Sequence, residues 1–175
     1  MSLEYLIING GELVPVRTVK KIGPVTDEDR ESLSALNSRI DADRFQSRID
    51  YADKTKNYIP ESLADIAAQG LAMVIIDDEN GVAVPADNIK KAKNLTDEDR
   101  ARFEASTGKP MRSDYLARIE TRAGPVLATL RADMVMKRMS QPYRASAAPQ
   151  GTQPESSEDA DPAAYKSAAE TYDIG

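Results

Sequence analysis

The sequence predicts an α+β protein: a tandem duplication of a ~70-residue ββαββα unit with pseudo-twofold symmetry, followed by an extended acidic C-terminal tail. Three observations lead there. Residues 11–30 and 81–100 share ten of twenty positions without a gap. The apolar pattern around them switches between the period of a strand and that of a helix. Residues 145–162 lose the pattern and consist mostly of Ala, Pro, Ser, Gln, Glu and Asp, a composition that cannot bury a core.

The repeat is the strongest signal. Gly11, Val14, Pro15, Lys20, Lys21 and the run Thr26-Asp27-Glu28-Asp29-Arg30 recur as Gly81, Val84, Pro85, Lys90, Lys91 and Thr96-Asp97-Glu98-Asp99-Arg100. In the same register Arg48 falls on Arg118, Ile49 on Ile119 and Asp50 on Glu120. A helix start that arose twice explains one motif, but not matched strands on both sides of it at one offset. Residues 1–70 are expected to form unit 1 and 71–140 unit 2, packed as one body. Residues 141–175 form the tail.

Each unit opens with an apolar stretch, Leu6-Ile7-Ile8 or Met73-Val74-Ile75-Ile76. A polar, Gly-containing turn follows, and Asn9-Gly10 is a strong hairpin cue. A second short strand covers 13–16 and 82–84. Pro15 and Pro85 lack an amide donor, so this strand ends there or lies at an edge. Lys20, Lys21, Lys90, Lys91 and Lys93 read as guards beside that edge. Thr26 and Thr96 are helix N-caps, each with an Asp three residues on and further acids at the positive end of the helix dipole. These helices are expected over 26–37 and 96–107, the second stopped by Gly108-Lys109-Pro110.

A third strand spans 45–51, with Phe45, Ser47, Ile49 and Tyr51 on one face. Tyr115, Ala117, Ile119 and Thr121 are the equivalents. Turns at 53–55 and 123–125 lead into a fourth strand at 57–59 and 126–129. Closing helices are expected over 60–69, with Gly70 beyond, and 130–140. A unit this small has a modest core, so a shared core is a structural reason for the duplication.

Composition narrows the function by exclusion. The 175 residues include no cysteine and no histidine. That rules out disulfides, thiolate nucleophiles, His-based triads and Cys/His zinc sites. Neither a phosphate-cradling G-x-x-x-x-G-K-[ST] loop nor G-x-G-x-x-G occurs, and no cofactor is expected. The formal charge is -6, of which -4 lies in 141–175 and -2 in 1–140. A mainly electrostatic nucleic-acid binder would carry a net basic body, so nucleic acid is not expected as a partner. No apolar run reaches the roughly 20 residues of a membrane span, and the first residues lack the basic start of a signal peptide. The expected location is the cytoplasm, or a virion assembled there, with no membrane partner.

Few clusters invite chemistry. Asp77-Asp78-Glu79-Asn80 lacks the alternating oxygen spacing of a calcium loop and reads as a solvated hairpin turn. The paired Thr-Asp-Glu-Asp-Arg runs read as helix caps rather than catalytic carboxylates. No catalytic, cofactor-binding or metal residues are assigned. Two partner-binding sets are. Arg44, Arg48, Arg118 and Arg122 lie on or beside the polar face of the third strands, interleaved with Asp50 and Glu120. Tyr165, Tyr172 and Ile174 punctuate 163–174 after a polar spacer, as in a tethered recognition segment.

The expected function is a non-enzymatic structural or assembly protein, an accessory subunit (decoration, adaptor or connector) of a large particle such as a phage virion, docking by its C-terminal arm. Its partners are protein subunits of the same assembly, and a homo-oligomer is compatible with the same features. The alternative is a cytoplasmic regulatory module that binds nucleic acid or a protein through the strand-three face.

Overall fold

The Asn9-Gly10 cue becomes a hairpin. In the computed structural model, which describes residues 2–144, β1 (Tyr5–Ile8) and β2 (Glu12–Pro15) run antiparallel. Asn9 and Gly10 carry the turn with left-handed backbone, φ 50° and 74°. Pro15 ends β2, and a 3-10 turn (Val16–Thr18) leads into β3 (Val19–Pro24). Next come α1 (Asp27–Leu36), β4 (Ser47–Tyr51), β5 (Lys56–Ile59) and α2 (Leu63–Ala68). The same order of elements follows: β6 (Met73–Asp77), β7 (Val82–Pro85), β8 (Ile89–Asn94), α3 (Asp97–Thr107), β9 (Ala117–Thr121), β10 (Gly124–Ala128) and α4 (Ala132–Ser140). The described residues form a mixed α+β fold with ten strands in three sheets and four α-helices. Residues 163–174, with Tyr165, Tyr172 and Ile174, lie outside them.

The helix starts follow the sequence reading. Thr26 and Thr96 each accept from the amide three residues on, and Asp29 and Asp99 return the bond to the cap amide. Gly108 closes α3 with left-handed backbone at φ 69°.

Three expectations need correction. Each half holds three strands before its first helix, not two. In β3 and β8 a bulge falls between Val19 and Lys21, and between Ile89 and Lys91. The bulge turns residues three apart, Val19 and Ile22, toward the same core, which hides the period of two. Lys20 and Lys21 therefore do not guard an edge: β3 is the central strand of the sheet β5-β4-β3-β7-β6. Lys90, Lys91 and Lys93 do lie on an edge strand, because β8 ends the sheet β10-β9-β8. Third, α2 starts at Leu63 rather than in the first turn after Pro60. Ser62 and Asp65 form a capping box there, with bonds of 2.9–3.1 Å.

Two cores meet at one hairpin. The first gathers Leu6, Ile8, Val14, Ile22, Ile49, Ile59 and Ile66, together with Met73 and Ala83. The second gathers Ile89, Ile119, Val126 and Val135, together with Val74, Ile76 and Val84. So β6 and β7 bury one face in each core, and 71–76 is a continuous apolar run for that reason. A small third cluster, Val25, Leu33, Ala42 and Phe45, lies under α1.

The cross-connection is one-way. β3 pairs with β7 at Ile22 and Ala83. A strict twofold would also pair β8 with β2 of the same chain, but among the described residues β2 pairs only with β1. Truncating the shared hairpin should loosen both cores together. Ile76→Ala is expected to cost about 2–5 kcal/mol, measured by urea denaturation, with one cooperative transition retained.

Candidate functional site

The two halves use their matched residues differently. In the first half Asp29 does more than cap α1. It is 7% exposed, and its Oδ2 accepts from the Thr26 amide at 3.1 Å. Arg48 donates to both Asp29 oxygens at 2.9 and 3.1 Å, and the Tyr58 hydroxyl donates to Oδ1 at 3.0 Å. Arg48 Nε also lies 3.0 Å from Asp50 Oδ1, an ion pair without hydrogen-bond geometry, and Lys21 Nζ lies 3.6 Å from Asp50 Oδ2. The cluster ties the start of α1 to β3, β4 and β5.

Its electrostatics follow from burial and partners. Burial acts to raise the Asp29 carboxyl, but bonds from Thr26, Arg48 and Tyr58 outweigh it and hold the group below the usual carboxylate range. Burial, with Asp29 as the bonded neighbour, raises the Tyr58 phenol. Burial lowers the Lys21 ammonium against the opposing pull of Asp50.

In the second half no such cluster forms among the described residues. Asp99 still caps α3, but its only basic neighbour among the described residues is Lys93, at 3.6 Å. Arg118 turns to Glu120 at 2.7 Å. Across the strands Arg48 faces Tyr58, whereas Arg118 faces Leu127, which has no hydroxyl to offer. Arg112 stands seventy positions from the buried Ala42 and is exposed. No residue of α3 is buried. The result is an open cleft of about 590 Å³ between α3 and β10. Leu95, Phe103, Met111, Tyr115 and Leu127 line it, with Lys20, Lys21, Arg102 and Arg118 as cations and Asp99 as the acid. This lining suits an apolar side chain flanked by carboxylates.

The four arginines of the strand-three set do not share one surface. Arg48 lines a second cleft with Asp50, Asp77 and Arg112, which shares Lys21 and Tyr115 with the cleft beside Arg118. Arg122 lines a third cleft with Arg17 and Asn88. Arg44 lies over the Phe45 ring, 4.6 Å from its centre. The Asp77 carboxylate is taken up by Asn80, through its amide and side chain at 3.0 and 2.8 Å, and Asp78 pairs with Arg138 at 2.7 Å. No group of three or more metal-ligating side chains occurs among the described residues, and none of their helices is long and apolar enough to cross a membrane.

Sequence reasoning missed the cleft. Its one signal in the sequence is that seventy positions carry the buried Ala42 to Arg112; the same offset carries Tyr58 to Ala128, and Leu127 takes the place of Tyr58 only through the strand pairing. Comparison with protein-family models, curated proteins and solved structures yields no match to this chain.

Because the folded value of Asp29 lies below its unfolded value, its stabilisation is present above the ordinary carboxylate range and is lost as pH falls through it. Asp29→Ala leaves Arg48 and the Tyr58 hydroxyl without their acceptor. It is expected to cost about 1–3 kcal/mol near neutral pH and to flatten the acid limb of stability against pH, as followed by denaturant titration at several pH values.

Proposed function

We propose that the chain is a non-enzymatic structural or assembly protein. It serves as an accessory subunit of a large particle, such as the decoration, adaptor or connector subunit of a phage virion, and docks on protein subunits through its acidic C-terminal segment. The observation that carries this reading is the exposed apolar surface of the body. Tyr5, Ile7, Leu13, Leu116, Met134 and Met136 are large apolar side chains left in solvent. The polar clusters support it as well, since the best-connected carboxylates hold caps, strands and turns.

A tandem duplication of a ~70-residue unit belongs to the same reading. Ten identities in twenty positions support it, as does the equal order of elements in the two halves. So does a shared lock at the end of each half: Gln69 Nε2 donates to the Ile7 carbonyl at 2.7 Å, and Arg138 NH1 to the Ile75 carbonyl at 3.0 Å.

Removing 145–175 should leave the body folded, with an unchanged circular dichroism melt, while capture of its protein partners weakens. Partner capture that is unchanged by the deletion overturns docking through that segment.

A further inference from the structure

The equivalent strands β3 and β8 differ in their neighbours. β3 pairs with β4 on one side and β7 on the other, whereas β8 pairs only with β9. The outer edge of β8 meets no strand among the described residues, nor does the outer edge of β2. Such edges are ready templates for another chain. We propose that β8 of one copy takes β2 of a second copy as its neighbour, building a sheet β10-β9-β8-β2-β1 between copies that repeats the internal sheet β5-β4-β3-β7-β6. The proposal rests on the assembly reading above and names the partner as the chain itself.

The internal junction supplies the register. Ile22 meets Ala83 there. Seventy positions carry Ile22 to Ala92 and take Ala83 back to Leu13. The pair keeps one large and one small side chain, with the sizes exchanged across the junction.

The exposed faces match as well. In β6–β7 the cross-strand pairs Met73↔Pro85 and Ile75↔Ala83 lie on the face turned to the first core. The corresponding pairs of the first hairpin are Tyr5↔Pro15 and Ile7↔Leu13. There Tyr5 is 50%, Ile7 53% and Leu13 63% exposed, while Leu6, Ile8 and Val14 on the opposite face are buried. The first hairpin thus carries two apolar faces and buries one. On the receiving side, the lock residues Gln69 and Arg138 align Ala67 with Met136. Ala67 is buried in the core that Met73 and Ala83 cover, whereas Met136 is 46% exposed.

Charge agrees with the same register. Next to Ile22 and Ala83, the internal junction brings Gly23 against Val82, so closely that a Cβ at Gly23 would lie 3.3 Å from a Val82 methyl. The corresponding pair between copies is Lys93 and Glu12, a cation opposite an acid. Lys90 and Lys91 add positive charge to the β8 edge, and Glu4 adds negative charge beside the hairpin. The contact joins unlike surfaces, so each added copy offers a fresh β8 and a fresh β2. It closes as a ring or grows as a filament.

Sedimentation velocity of the full chain over a wide concentration range tests this. The wild type is expected to associate reversibly. Leu13→Glu should raise the dissociation constant at least about tenfold, the scale of one lost buried leucine. Glu12→Lys and Lys93→Glu should each weaken association about two- to fivefold, as for an exposed ion pair, and the double reversal should restore it. Circular dichroism melts identify any variant that fails to fold. A chain that stays monomeric throughout, or association indifferent to a folded Leu13→Glu variant, overturns the contact. A monomeric chain that still captures other subunits through 145–175 overturns the contact alone and leaves the assembly reading standing.

Discussion

The burial of both faces of the β6–β7 hairpin is the constraint on which the rest depends. A hairpin normally offers one face to a core and the other to water. Here Met73 and Ala83 close the first core, and Val74, Ile76 and Val84 close the second. Each half is too small to be well stabilised alone. Sharing one wall lets both bury their strands against it. It also separates the two hairpins by exposure: β6–β7 is covered on both sides, whereas β1–β2 leaves Tyr5, Ile7 and Leu13 in solvent.

The sequence made the local elements legible and left the connections between them hidden. The capping boxes at Thr26 and Thr96 were readable because a cap is a bond between residues three apart. The faces of β4 and β9 were readable because Ser47 and Ile49, like Ala117 and Ile119, follow a period of two into buried positions. The strands β3 and β8 were not, because a bulge beside paired lysines breaks that period. Nor does anything within 19–24 announce that β3 will sit at the centre of a five-stranded sheet. That placement is decided by a partner, Ala83, sixty-one residues away. The candidate cleft lay beyond reach for a related reason. Its lining is defined by what the second half lacks, a buried residue at Arg112 and a hydroxyl at Leu127, and a missing contact leaves no local pattern.

The difference between the halves follows a simple logic. Asp29, Arg48 and Tyr58 knit α1 onto the first sheet, and a small apolar cluster fills the space beneath it. In the second half the aspartate and arginine remain, but the acceptor that Arg118 finds is Glu120 on its own strand. The helix then rests on the sheet without burying a residue, and the space below stays open. The aspartate caps its helix in both halves, but only in the first does the arginine bind it. What separates the cases is the cross-strand neighbour.

The shared hairpin also bears on how the chain comes into being. A ribosome releases residues 1–70 before it releases Met73 and Ala83, so the first half emerges without one wall of its core. Until about residue 85 is free, Ile22 has no Ala83 beside it and the β3 edge stands open. Neither half can finish folding as a separate vectorial step, although domains commonly do. Synthesis of the second hairpin therefore supplies the missing wall of the first core, while the other face of that hairpin waits for β8, β9, β10 and α4.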